Sequence, residues 1–401
     1  MSDARSSFLE ILAVFTRLGL TSFGGPIAHL GIFRDEFVRR RGWLSDEDYA
    51  DLVALTQFLP GPASSQAGFA IGVRRRGLAG GLAAFAGFTW PSALIMLAAA
   101  YGQSWLMGAA AAGLVNGLKI AAVAVVAHAV LGMARGLCPD RPRATIAVLA
   151  AAMLALFPSG LVQLAVIAAG LVAGTMAVRV EPVPPGSAGD QVGRASGFGK
   201  GWLTGFLALL IGLPVVAAGY ESDAAALVSG FYRSGALVFG GGHVVLPLLE
   251  TVVVPTGWVT PDDFLAGYGI AQAVPGPLFT FSTYLGAVAD NDLEAATGAM
   301  LATLALFLPG FLLVLGALPA WERLRRQTRA RAALAGVNAA VVGVLAAALY
   351  NPVWISAIHA GTDFALALLA FAALSVWNWP AWRVVLLAAS GGTLMSLVAG
   401  S

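Results

Sequence analysis

Gln57-Phe-Leu-Pro-Gly-Pro62 returns 215 positions later as Gln272-Ala-Val-Pro-Gly-Pro277, each copy inside a long apolar run. Proline lacks the N–H donor and disfavours a helical residue before it, so each Pro-Gly-Pro ends a helix. Outward from these motifs the chain reads twice. Gly42-Trp-Leu-Ser-Asp-Glu-Asp-Tyr49 recurs as Gly257-Trp-Val-Thr-Pro-Asp-Asp-Phe264, and Phe15-Thr-Arg-Leu-Gly-Leu-Thr-Ser-Phe-Gly-Gly25 as Phe231-Tyr-Arg-Ser-Gly-Ala-Leu-Val-Phe-Gly-Gly241. Trp90-Pro91 has a weaker echo in Leu308-Pro309, and Val115-Asn116 in Val337-Asn338. Chance matches would not keep this order and spacing, so the two halves read as homologous.

Of 401 residues, 58% are hydrophobic and only 11% charged. A soluble domain covers its surface with roughly 25% charged residues, so most of this surface must face lipid. Runs of about 18 or more apolar residues recur, each long enough for a hydrocarbon core of about 30 Å. The net charge of +2 points to no nucleic acid, because the basic residues sit in short clusters between helices. A single cysteine, Cys138, excludes an internal disulfide and a cysteine-rich metal site. No GxxxxGK[ST] loop and no HExxH motif occurs, so ATP-driven pumping and zincin chemistry have no support, and no cofactor or metal is implied. Residues 1–7 lack a basic n-region and a cleavage site, so no processing is expected.

Cytoplasmic loops carry excess Lys and Arg. Arg34, Arg39, Arg40 and Arg41 precede the first hairpin and Arg74, Arg75 and Arg76 follow it, whereas the matching loops of the second half hold Glu250, Asp262, Asp263, Asp290, Asp292 and Glu294. Basic residues resume at Arg323, Arg325, Arg326, Arg329 and Arg331. The inverted bias predicts two antiparallel repeats, as in many secondary transporters. The expected fold is all-α and polytopic: a first repeat over 1–180, a linker with one extra span over 181–224, and a second, inverted repeat over 225–401. Segment 45–73 reads as a re-entrant hairpin with Ser45 and, in its copy, Thr260 as N-caps with an acidic third residue. Segment 8–33 is interrupted at Phe23-Gly-Gly-Pro26. Nine full spans are expected, at 77–102, 109–133, 143–157, 161–178, 202–220, 299–318, 332–349, 362–376 and 382–397. They place the N-terminus in the cytoplasm and the C-terminus in the periplasm of a bacterial inner membrane.

A backbone break at membrane depth survives only where protein or a watery cavity satisfies its polar groups. Four such breaks at matched positions point to a transport site. Each is followed by a new helix whose N-terminus offers free N–H groups and about half a positive charge, a natural anion site. The candidate substrate ligands are Arg17, Thr21, Ser22, Phe23, Gly24, Gly25, Pro26, Gln57, Pro60, Gly61, Pro62, Ser64, Ser65, Asn116 and Lys119 in the first half. Arg233, Gly240, Gly241, Gln272, Pro275, Gly276, Pro277 and Asn338 join them from the second. The first half is richer in hydroxyls, since Thr21-Ser22 becomes Leu237-Val238, which places the anion nearer Arg17. Against this, either arginine could simply snorkel to an interface. Lys119 stands equally for neutralising substrate charge and for coupling protons. His29, His128, His243 and His359 do not align between halves and read as packed or interfacial. Alanine- and glycine-rich helices read as close-packing faces.

Through Phe-Gly-Gly-Pro, Pro-Gly-Pro, the Gly-Trp lead-in and the duplication, the chain resembles the chromate ion transporter family in its long, two-domain form, over nearly its whole length. The resemblance implies export of chromate, with sulfate as a structural analogue, driven by protons or membrane potential and conferring chromate resistance. It carries Arg17, Phe23, Gly24, Gly25, Pro26, Pro60, Gly61, Pro62 and Asn116 over as motif positions; the second copy departs at Gly242, where the first has Pro26. Oxyanion uptake or exchange and an anion channel are the rivals, and an enzyme would need a nucleophile and base at depth that the sequence does not offer. Oligomeric state stays open between monomer and homodimer.

Overall fold

The computed structural model describes residues 7–23, 25–103, 109–180, 199–220, 222–239, 242–321 and 327–399. Gly24, Gly240, Gly241, residues 181–198 and 221 of the linker, and Arg323, Arg325 and Arg326 therefore lie outside the described residues. The described residues form 16 α-helices joined by short turns. Helix α1 (Phe8–Thr21) ends as the Ser22 N–H closes the last turn on the Leu18 carbonyl, and α2 (Gly25–Arg34) starts afresh with Pro26 in its first turn. The expected interruption is there. Helix α3 (Asp46–Phe58) opens on Ser45, whose Oγ accepts the Asp48 N–H at 3.0 Å. Beyond the Pro-Gly-Pro turn runs α4 (Ala63–Gln103), which loses helical dihedrals at Arg76 and Gly77. The added Cβ of a residue at 72 would strike the Gly80 carbonyl. Eight residues of straight helix span about 12 Å, so the arm after Gly77 must fold back along the arm before it. The hairpin at 45–73 and the span after it are thus separate arms, as expected.

Helices α5 (Ala109–Leu137), α6 (Arg141–Leu156), α7 (Gly160–Ala177) and α8 (Gly199–Gly219) follow. The sequence then gives α9 (Asp223–Ala236), α10 (Val245–Val253), α11 (Pro261–Ala273), α12 (Phe281–Val288) and α13 (Ala295–Ala317). Thr260 caps α11 as Ser45 caps α3, its Oγ1 accepting the Asp263 N–H at 3.1 Å. The chain closes with α14 (Thr328–Ala348), α15 (Gly361–Ser375) and α16 (Ala381–Ala399).

Among the described residues, six segments are long and apolar enough to cross a bilayer, including both arms of α4 taken together. The nine expected full spans are therefore not all matched in length. Helices α6 and α15, with 16 and 15 residues, reach roughly 22–24 Å at 1.5 Å per residue, short of about 30 Å.

Lipid tails are as apolar as leucine, so helices in a bilayer associate through close packing of small residues. Gly19 of α1 lies against the Phe88 carbonyl of α4, Gly117 of α5 against Ala388 of α16, and Gly174 of α7 against Gly336 of α14. Helices α6 and α7 pack on α14, whereas α15 and α16 pack on α5. Phe15, Phe33, Phe37 and Phe88 fill the space behind α1, and Phe69 stacks on Phe311 at 4.4 Å. Helix α8 lies on the outside against α9 and α13, with Leu207, Ile211 and Val215 facing outward.

Candidate functional site

Where the helices break, the loose backbone groups find one another. The Gly61 N–H at the first Pro-Gly-Pro donates to the Val238 carbonyl at 2.7 Å, and the Gly276 N–H at the second donates to the Ser22 carbonyl at 2.8 Å. Ser22 and Val238 are the residues just before the two Phe-Gly-Gly breaks. Each tip is thereby tied to the opposite break. Pro26 packs against Gly242, 3.2 Å from where a Cβ there would stand, which brings the two breaks together as well. Behind the tips, Gly61 and Pro62 abut Gly310 of α13, and Gly276 abuts Ser92 of α4. All four interruptions meet at one crossing.

The crossing holds buried polar atoms without partners, among them an acceptor, Gln66 Oε1. The Ser22 and Ser65 hydroxyls and the Gln272 Nε2 are buried and unpartnered. Gly25, Gln272 and Gly276 line a cavity of about 180 Å³ together with His128 and His243. His243 Nδ1 lies 2.7 Å from the Tyr268 hydroxyl. His29 is fully buried beside it all, with Nε2 3.3 Å from the Ser22 carbonyl and Nδ1 3.4 Å from Ser64 Oγ. Since a carbonyl only accepts, Nε2 carries a proton toward Ser22. Gln66 Nε2 donates to the Pro60 and Gly310 carbonyls at 2.8 and 3.1 Å, stiffening the first tip.

Other candidates sit elsewhere. Arg17 is half-exposed and its Nη2 lies 2.5 Å from Glu36 Oε2; Arg40 and Arg41 also bind that carboxylate, at 3.1 and 2.6 Å, and Arg41 reaches Glu10 at 3.0 Å. Burial pushes the Glu36 carboxyl up, but the bonds from Arg41, Arg17 and Arg40 outweigh it and hold it below the usual carboxylate range. Thr21 is exposed and donates to the Arg17 carbonyl, Phe23 packs on Trp382, and Gln57 is exposed on α3. Pro275 and Pro277 flank Gly276, the latter accepting the Thr280 hydroxyl at 2.9 Å. Asn116 donates to Asp363 at 3.3 Å, and Asn338 is half-buried in α14, apart from the cavity. Lys119 Nζ donates to Asp262 Oδ1 at 2.7 Å. Arg233 lines a second cavity, with Ser159 and Gln163.

The sequence reading set the histidines aside, yet three of them stand at the crossing. His243 directly follows the second glycine run and His29 follows Pro26 by three, which are signals at hand; nothing local marks His128. Among the described residues no group of three His, Cys, Asp or Glu side chains could hold a metal.

A family model described as Chromate transporter matches residues 9–175 and again residues 225–393. The chain is 30% identical over 347 residues to a chromate transport protein of Pseudomonas aeruginosa, spanning 85% of this chain and 80% of the relative. It is 26% identical to a probable chromate transport protein of Synechococcus elongatus, over 86% and 84% of the two chains. A chromate transport protein of Cupriavidus metallidurans is 24% identical, over 85% and 81%. No solved structure matches.

Proposed function

This multi-pass membrane protein belongs to the chromate transporter family in its long, two-domain form, a family of transporters and not of enzymes; on that premise we propose that it exports chromate from the bacterial cytoplasm as a secondary transporter. The observation that carries the reading is the crossing of the four breaks, with each Pro-Gly-Pro N–H tied to the opposite break. Unpaired donors from Ser22, Ser65 and Gln272 there suit a tetrahedral oxyanion held by neutral groups and helix N-termini. Because two of the four elements belong to each half, a relative tilt of the halves would open the crossing to one side and then the other. A dianion leaving a negative interior gains roughly 4.6 kcal/mol per 100 mV, so export needs no strong coupling. Uptake would need more than two accompanying cations.

The reading includes the antiparallel arrangement of repeats 1–180 and 225–401, with 181–224 as the segment that inverts the second. Its support is the opposite loop charge and the matching helix order, α1–α7 against α9–α16 with α12 and α13 standing for the two arms of α4. Flux of radiolabelled chromate and sulfate into inverted vesicles and purified liposomes, under imposed potentials and proton gradients, tests the function. Saturable, potential-driven chromate flux toward the positive side is expected; flux that never saturates would indicate a channel, and proton-driven sulfate entry would indicate uptake. Single cysteines near Arg75 and near Asp292, in a background lacking Cys138, should react with an impermeant reagent from opposite faces. Labelling from one face would end the inverted arrangement.

A further inference from the structure

Arg17 and Arg233 hold matching positions in different company. Glu36 falls opposite Thr251 or Val252, neither of them a carboxylate, and both line a cavity of about 270 Å³ beside Arg233. None of the ion pairs among the described residues includes Arg233. The same cavity is bounded by Ser159 and Gly160, the start of the 18-residue α7. The Ser159 hydroxyl caps Val162 alone, leaving the N–H groups of Gly160 and Leu161 ahead of the first intrahelical bond. Gln163, one turn on, is only 3% exposed, lines the cavity, and has an Nε2 with no hydrogen-bond partner. A buried amide donor left unpaired is costly and calls for a partner. A guanidinium fork, an unpaired amide N–H and a helix start bring together donors that complement an oxyanion.

We propose that Arg233, Gln163 and the N-terminus of α7 form a second oxyanion site, separate from the crossing, in which the transported ion is held on one side of it. The adjoining cavity of about 400 Å³ shares Ser159, Gly160, Gln163 and Thr251, and Glu250 is the one carboxylate on its wall. When ionised, Glu250 repels an oxyanion in this adjoining cavity. The proposal rests on the export reading only for the purpose of the site; binding itself does not depend on direction.

Equilibrium dialysis of the purified full-length protein, in phospholipid-free detergent, against radiolabelled sulfate and chromate reads the site directly. Arg233→Ala should lose one bound ion per chain relative to wild type with its melting temperature retained. Arg233→Lys should bind that ion about tenfold more weakly, the loss of one charge-assisted hydrogen bond. Gln163→Glu should abolish the same ion, because its carboxylate would take the guanidinium, and this variant should melt no lower than wild type. Glu250→Gln should tighten binding. Gly61→Val should keep this ion whatever becomes of the crossing, which separates failure of this site from failure of the transport reading. Repeating the dialysis with phosphatidylglycerol added distinguishes sources: displacement of sulfate by that lipid, and not by phosphatidylcholine, makes a lipid phosphate the occupant in the bilayer, and no displacement makes it the free ion. Unchanged stoichiometry and affinity in both Arg233→Ala and Gln163→Glu would overturn the proposal.

Discussion

Gly61 and Gly276 take φ values of +124° and +95°, a region that favours glycine. A Cβ at 61 would stand 2.9 Å from Gln66 Nε2 and 3.2 Å from the Gly310 Cα; one at 276 would stand 2.8 Å from Ser92 Oγ. Strain of about 1–3 kcal/mol per residue falls on the very peptide units that donate across the crossing. Gly61→Val and Gly276→Val should each abolish chromate flux at normal membrane abundance; wild-type flux in either would remove that tip from the pathway. Glu36 supports a separate test. Its carboxyl is held below the ordinary 4.5, so its contribution to stability is whole above that pH and is lost as pH falls through the lowered value. Melting temperature should therefore drop below about pH 4.5, and Glu36→Gln should melt lower at pH 7 with a flatter acid limb. The residue scale was partly legible in sequence. Duplicated prolines and glycines marked the crossing because backbone rules are local, whereas the ion pair of Arg17 with Glu36 and the place of His128 depend on tertiary neighbours that no spacing reveals.

Helix α4 is held in its folded-back form by an approach so close that it admits no side chain, at Gly72 and Gly80; the pair Gly286 and Gly298 does the same between α12 and α13. Gly72→Val and Gly286→Val should each prevent correct folding and leave little protein resistant to heat in detergent, as read by size-exclusion after a temperature ramp. Full-length monodisperse protein surviving the ramp as wild type does would contradict the packing. At this scale the sequence was a good guide: both capped hairpin helices and both Gly/Pro interruptions fell where the motifs put them, because capping and proline chemistry act within four residues. The number of full crossings was less legible, since α6 and α15 are apolar yet short, and apolar composition alone does not fix where a helix stops.

Taken whole, the molecule is woven from its two halves. Helices α6 and α7 cover α14, α15 and α16 cover α5, and Lys119 of α5 pairs with Asp262 at the head of α11. Cutting the chain between α7 and α8 should leave each piece unable to fold alone, while co-expression of both pieces restores chromate flux; an active first piece by itself would contradict this exchange. Lys119 was open between two roles in the sequence, and its partner lies 143 positions away, beyond any local pattern. The mutual tie of tips and breaks is made wholly of main chain, N–H to carbonyl. On the accepting side, drift of the side chains at 22 and 238 leaves such a bond untouched, and alanine at either position keeps the carbonyl in place. Its contribution is open only to chemistry that edits the peptide link itself, such as replacement of the amide at 61 or 276 by an ester.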